Sequence, residues 1–520
     1  MTTATADAAH WRPSHSPWLV AFSVLLAMFI AVLDTSVANV ALPHIAGNLS
    51  ASTDEATWVL TSYIVATAVV LAATTWLSTF FGRKNYLMFS VALFTTASAM
   101  CGMAQTLPEL IMARIAQGIG AGGLQPLAQA IMLESFPAEE RGDAMAAFSM
   151  GIIVAPIIGP TLGGWITDNY SWRWIFYLNI PIGALGLFMQ NAFIEDPPYL
   201  ARTRHKPIDY LGLTFMVLAL GTLQLVLDKG QELDWFGNIW IRIGTVVVII
   251  FMPLFIWWEW TYKNAFIDFK LLKKRNLAVG TFLGSLQGMV LFSSTALLPV
   301  FMQGLLRYPA MQAGLAMTPR GVGSMFSTFV VGRITNKVNK KGLLVVGFMG
   351  LGLTCLAFSF FNTSIAYSNI ALPQIINGMS MGCLFVPMTL LTMNSLRQSE
   401  INQATGIMSL WRNVASSIGI SMVFAYQTRM TQVHQARLVG DISPYNPAFA
   451  QWSGHMHALG ASQTATYAMA YSKVAQQSAM LAFIDAFRWL AALCFICIPL
   501  VFLFRTPRKI TPEKAIAFES

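Results

Sequence analysis

Apolar stretches of about 20 residues recur along this chain, separated by short polar loops. Fourteen such stretches begin near Trp18, Thr57, Tyr86, Pro108, Ala144, Trp172, Ile208, Ile239, Leu277, Met311, Leu343, Ser368, Ala404 and Leu481. Each is long enough to cross a bilayer as an α-helix. The pattern predicts an all-α integral membrane protein with fourteen transmembrane helices. The stretches group as six, two and six. A six-helix bundle is expected over 1–205, an inserted helix pair over 206–262 and a second six-helix bundle over 263–520. The outer connection between the last two spans, about 427–480, is far longer than the other outer loops. It holds Ser443-Pro444-Tyr445-Asn446-Pro447, followed by a helix-compatible stretch to Gln477. A long loop in a compact protein is often functional, and a tolerated surface insertion is the alternative.

Composition narrows the class. The chain is 55% hydrophobic and 11% charged, with mean hydropathy +0.58, outside the ordinary soluble range. A net charge of +9 raises the question of nucleic acid, but its distribution answers it. With the N-terminus placed in the cytoplasm, inner loops and tails hold 21 Lys and Arg against 5 in outer loops, Lys229 among the latter. That bias places both termini in the cytoplasm and excludes a nucleic-acid patch. Cys101, Cys355, Cys383, Cys494 and Cys497 all sit in apolar runs and read as small hydrophobes. The first span lacks a small-residue cleavage site and is expected to stay in the membrane.

Two pieces of internal similarity point to duplicated halves. Span 4 reads Arg114-Ile-Ala-Gln117-Gly118 with Pro126 further on, and span 12 reads Gln374-Ile-Ile-Asn377-Gly378 with Pro387 further on. The loop after span 2 carries Gly82-Arg83-Lys84, and the loop after span 10 carries Gly332-Arg333 and Lys337. Matching motifs in two halves suit a repeat-built transporter.

Asp34 is the sharpest chemical signal. A carboxylate deep in span 1 is costly and faces a cavity or a partner. Ala27, Ala31, Ala38 and Ala41 share its helix face and leave room for either. The functional reading is a site alternating between proton and substrate, and the bland one is a structural hydrogen bond to another helix. On span 4, Arg114, Gln117, Gly118, Gln125 and Gln129 form a polar stripe that should face the bundle interior. Arg114 either stabilises one charge state of a nearby acid or glues helices together. Span 5 carries Gly151, Pro156, Gly159, Pro160, Gly163 and Gly164. Its prolines bend the helix and its glycines allow close contact, as a gate or as ordinary packing. Arg412 with Asn413 in span 13 lies deep enough to line a cavity. Asp209, Glu259 and Asp485 lie near span ends, where exposure to the interface is cheap. No Walker loop, HExxH or serine–histidine pair appears, so neither ATP use nor an enzyme is expected. No metal site is expected; His455 and His457 alone are too few ligands.

These residues resemble the major facilitator superfamily, and specifically its fourteen-span drug:proton antiporters of the EmrB/QacA type. Four blocks carry the resemblance: Leu33 through Pro43, Arg114 through Gly120, Gly151 through Gly164, and Trp172 through Gly183. The resemblance implies two pseudo-symmetric six-helix bundles in a V, an inserted helix pair and rocker-type alternating access driven by the proton gradient, with no cofactor. Asp34 and Arg114 would couple protons. Asp34, Asn39, Gln117, Gln125, Gln129, Asn377 and Arg412 would line the substrate cavity. Gly82, Arg83 and Lys84 would form the gating loop, and Gly151 to Gly164 the antiporter motif. It further implies lipophilic drug-like substrates, a bacterial inner membrane and, from the long outer segment, a periplasmic adaptor protein with an outer-membrane channel. Export of a specific metabolite such as a fatty acid, or a non-transporting sensor or channel, are the alternatives. One departure stands out. Where the family's loop after span 2 has Gly and Asp, this chain has Thr75 and Thr79, and the second-half loop has Asn336 at the acidic position. Glu139 and Glu140 are the candidates to substitute for the missing acid.

Overall fold

The computed structural model describes residues 13–137, 139–196, 209–262, 266–335, 337–363, 365–394 and 396–505. The expected borders near 205 and 263 lie outside them, as do Arg202, Thr203, Arg204, Lys206, Lys263 and Asn336. The described residues form helices and no strand. The first half holds α1 (Pro17–Asn48), α2 (Trp58–Phe81), α3 (Arg83–Met103), α4 (Leu107–Ala121), α5 (Leu124–Ser135), α6 (Arg141–Asn169) and α7 (Asn179–Phe193). The pair α8 (Tyr210–Lys229) and α9 (Ile239–Thr261) follows. The second half holds α10 (Arg275–Gly304), α11 (Ala310–Ile334), α12 (Lys340–Phe358), α13 (Tyr367–Met393), α14 (Gln398–Val439), α15 (Pro447–Ala458) and α16 (Gln463–Val501).

Among the described residues, 12 helices are long and apolar enough to cross a membrane. The two other expected spans fall short for visible reasons. Span 4 is broken at Gly122–Gly123 into α4 and α5. Span 10, α11, carries Arg320, Arg333 and an internal Pro319.

The buried apolar residues show how the halves meet. One large cluster joins the start of α1 (Val20, Val24), the end of α2 (Leu71, Trp76) and the start of α6 (Ala144, Phe148) to second-half residues Val331, Met393, Ala404 and Ile407. The remaining clusters stay within one half, around Leu33, Ile45 and Trp172 in the first and around Leu297, Phe301 and Phe483 in the second. The halves therefore share a core at the end where α1 begins, and the cores farther along belong to one half each. At the shared end α6 and α11 touch closely: a Cβ on Gly142 would sit 2.6 Å from the Gly332 carbonyl oxygen.

The pair α8 and α9 is packed into this frame. Met216, Ala219 and Leu220 of α8 and Phe255 of α9 join the shared core. Polar side chains tie the far end of α8 to both halves. Thr61 donates to Asp228 and Lys229 donates to Thr57 on the α2 side. Ser417 of α14 donates to Gln224 at 2.9 Å, and Gln231 donates to Thr428 at 3.2 Å. Lys229 is thus 2% exposed, a buried cation where the charge pattern suggested an outer loop. Asp209 and Glu259 also depart from expectation, being buried. Asp209 accepts from the Gly212 amide and Trp258 Nε1, and Glu259 accepts from the Ile267 amide at 2.8 Å.

The segment expected as a long outer loop is a projecting helical hairpin. α14 runs 42 residues and α16 runs 39, about 60 Å each against a hydrocarbon core of roughly 30 Å. His434 Nε2 meets Asp485 Oδ2 at 2.8 Å and Gln435 donates to Tyr471 at 3.1 Å, joining the two helices. Phe449 of α15 packs against Tyr467 with ring centroids 5.6 Å apart. The hydropathy pattern located only the apolar parts of these helices, because their polar turns carry no membrane signal.

Candidate coupling site

Asp34 lies midway along α1, 3% exposed. Three donors from two other helices converge on its carboxylate. Arg114 Nη1 of α4 donates to Oδ2 at 2.5 Å, Gln117 Nε2 of α4 to Oδ1 at 2.9 Å, and Asn179 Nδ2 of α7 to Oδ1 at 2.7 Å. A carboxylate offers about four acceptor positions, so this cage suits the ionised form. Arg114 is held in turn: Nε donates to the Val59 carbonyl of α2 at 3.0 Å, and Nη1 also reaches Gln117 Oε1 at 2.8 Å. Its guanidinium lies 4.2 Å from the centroid of the Tyr63 ring. Asn179 is fixed by its second bond, to Ser98 Oγ at 2.9 Å.

Local sequence explains why these groups meet. Arg114 and Gln117 are three residues apart and lie on one helix face. Gly118, on the same helix, lies where a Cβ would come 2.5 Å from the Tyr63 carbonyl oxygen, so α4 packs directly onto α2. On the other side α1 meets α6. A Cβ on Gly159 would come 2.4 Å from Ser36 Oγ, and one on Gly163 2.9 Å from Val37 Cγ1. Pro160 has no N–H to donate to the Pro156 carbonyl, and Ser36 Oγ donates to that oxygen instead at 3.3 Å. The glycine and proline run of span 5 thus seats α6 against the turn that follows Asp34.

The other expected site residues are dispersed. Gln129 of α5 reaches the boundary between the halves and lines a small space with Thr281, Gln287, Thr389 and Arg412 of the second half. That space is about 20 Å³, room for one water and far below a drug-sized cavity. Gln125 is half-buried and Asn39 is exposed. Asn377 donates to Thr354 of α12 at 3.1 Å, within its own half.

The three residues expected to form the gating loop lie at the turn between α2 and α3. Gly82 has φ +86, a left-handed turn between α2 and α3. Arg83 is buried and pairs with Glu134 at the end of α5. Lys84 Nζ donates to the Asn191 carbonyl at 2.6 Å and its amide to Asp196 at 2.8 Å. These contacts stay inside the first half. Across the halves at this end, Asn402 Nδ2 donates to Ser78 Oγ at 2.9 Å, and Gly406 packs on Thr75 Oγ1. The acid facing Arg83 is therefore Glu134, with Glu139 and Glu140 in the next turn exposed. The cross-half contact beside Thr75 is neutral.

Sequence reasoning missed the donor role of Asn179, the carbonyl of Val59, the ring of Tyr63 and Glu134. Asn179 was visible as a polar residue in an apolar span. The backbone carbonyl carried no signal at all.

Residues 24–420 match the family described as Major Facilitator Superfamily. The chain is 36% identical over 490 residues to the Multidrug export protein EmrB of Haemophilus influenzae, covering 94% of this chain and 96% of that one. It is 34% identical over 490 residues to the Multidrug export protein EmrB of Escherichia coli (strain K12), covering 94% and 95%. A crystal structure of a double Trp mutant of XylE superposes with TM-score 0.61 at 14% identity, covering 98% of this chain and 100% of that one. That likeness speaks to the fold alone.

Proposed function

The chain belongs to the Major Facilitator Superfamily and is of the EmrB type, and from that premise we propose that it exports lipophilic drug-like compounds in exchange for protons. Multidrug efflux is what the relatives' names describe; proton coupling and alternating access are the further steps. The observation that carries them is the buried cage of Arg114, Gln117 and Asn179 around Asp34. A proton on Asp34 replaces a charge-assisted pair with a neutral acid, which weakens the hold of α4 and α7 on α1. α1 is seated on α6 at Gly159 and Gly163, and α6 meets α11 of the other half at Gly142 and Gly332. Loss of the pair is thus passed to the contact between halves through three packed helices. The energy source is the proton gradient, without a cofactor.

In this reading α4–α5 and α11 complete fourteen spans, and the pair α8–α9 is the insertion between two six-helix bundles. Both termini face the cytoplasm of a bacterial inner membrane, as the charge bias supports. The hairpin then projects outward, where it suits a periplasmic adaptor and an outer-membrane channel. The test is drug-induced proton release from detergent-solubilised protein. The parent should release protons when a transported lipophile binds. Asp34→Asn should bind the drug, release none and fail to move it against a gradient in proteoliposomes. Full uphill transport by Asp34→Asn would remove Asp34 from coupling.

A further inference from the structure

The start of α2 is held from two directions. Toward α4, the Val59 carbonyl accepts from Arg114 Nε at 3.0 Å, and the Tyr63 ring centroid lies 4.2 Å from the guanidinium. Toward α8, Thr57 and Thr61 lie one turn apart on another face. Thr57 accepts from Lys229 Nζ, and Thr61 donates to Asp228. The same end of α8 is tied to the second half. Ser417 of α14 donates to Gln224 at 2.9 Å. Gln231, which accepts from Trp235 Nε1 at 3.0 Å, donates to Thr428 at 3.2 Å.

α8 is built in two parts. Met216 is fixed in the core shared by the halves. A π-helical turn, Val217–Gly221, separates it from the polar far end at Gln224, Asp228 and Lys229. A widened turn interrupts the regular hydrogen-bond ladder and is where a helix bends. The charge at the far end is not explained by stability. Lys229 is 2% exposed, bonds Glu232 at 2.7 Å and has its Nζ 5.2 Å from the Trp58 ring centroid. A buried ion pair is often no more stable than apolar residues of the same volume. A charge kept inside a membrane protein marks a working group instead.

We propose that the far end of α8 is a positioning element for proton exchange, linking the grip of Arg114 on Asp34 to the spacing of the halves. This deepens the exchange reading above and rests on it. Lys229 and Asp228 hold the start of α2, and with it the carbonyl and the ring that steady Arg114. Gln224 and Gln231 tie the same element to α14. A change in spacing at this end therefore pulls on α2 and alters the hold of Arg114 on the carboxylate. A drug that moves the halves is felt at Asp34 without touching it. The link is reciprocal: a proton taken up by Asp34 releases Arg114 and, through α2 and α8, eases the contact with α14.

The test measures protons released per probe bound by the purified full chain in detergent. The probes are tetraphenylphosphonium and dodecanamide, one charged and one neutral lipophile. Two pairs of near-isosteric changes cut the ties separately: Thr57→Val with Thr61→Val on the α2 side, and Ser417→Ala with Thr428→Val on the α14 side. Neither pair touches Asp34 or Arg114. Each should still fold and bind probe, with the ratio down by about twofold or more, because proton release is the linkage between the two sites. Lys229→Met should lower the ratio likewise, and Lys229→Arg, which keeps the donor, should restore much of it. A residue that only fills space would favour methionine over arginine. The parent's ratio in the folded α2-side or α14-side pair overturns the proposal and leaves the exchange reading standing. Silence from the parent with both probes overturns the exchange reading and this proposal with it.

Discussion

The Asp34–Arg114 pair makes an asymmetric prediction. Arg114 is fully buried and Asp34 nearly so, with Nη1 and Oδ2 at 2.5 Å. Removing one partner from a buried pair costs about 3–5 kcal/mol, because the survivor is left as an unpaired charge. In Asp34→Asn the guanidinium keeps its bonds to Val59 and Gln117 but loses its counter-charge, and arginine has no neutral form to retreat to. In Arg114→Ala the stranded acid has one, by binding a proton. Asp34→Asn should therefore cost near the top of that range where the parent's Asp34 is ionised, with the amide retaining some hydrogen bonding. Arg114→Ala should cost less in acid than at neutral pH. The double variant Asp34→Asn/Arg114→Ala, with no charge in the cage, should recover about 2 kcal/mol or more relative to the additive sum. Thermal unfolding in detergent across pH reads all four proteins. None of the three variants should show drug-induced proton release. Additive costs in the double variant would show that the two charges do not act as a unit.

Four further outcomes follow from particular contacts. Gly163→Val should push α6 off α1, since a Cβ already meets Val37 Cγ1 at 2.9 Å; a loss of about 1–3 kcal/mol and of transport is expected, and unchanged transport would make the contact incidental. Single cysteines at Ser443 and Thr203 should label from outside and only after permeabilisation, respectively; reversal at either site removes the proposed topology. Deleting 444–461 should spare transport in liposomes while abolishing resistance in cells; equal loss in both would assign the hairpin tip to folding. Hydrogen bonds from Ser14 hold the Glu195 carboxyl below its ordinary value, so this tie is present above the usual carboxylate range and is lost as pH falls through the lowered one. Amide exchange at residues 14–16 should rise only in that acid window, and a rise near neutral pH would refute the assignment.

The sequence by itself determined the membrane class, the position of the helices and the two residues at the centre of the site. Those signals are local. Hydrophobic runs report a helix's surroundings directly, and a charge inside such a run is costly enough to mark itself, as Asp34 and Arg114 do. Gly151 to Gly164 likewise announced close contact without saying with what. Tertiary structure decided the partners. Asn179, Val59 and Tyr63 reach Asp34 or Arg114 from segments dozens of residues away, and a backbone carbonyl has no sequence signature. It was the fold that paired Arg83 with Glu134, and that set Thr75 and Ser78 against neutral groups of α14 where the family pattern suggested a charge. Lys229 looked like an outer-loop charge because its neighbours are polar; its burial depends on the distant Thr57, with Glu232 pairing it from three residues on. The hairpin escaped for a related reason: its outer turns are stabilised by contacts between α14 and α16, as at His434 and Asp485, and packing between distant segments is not written in the hydropathy of either one.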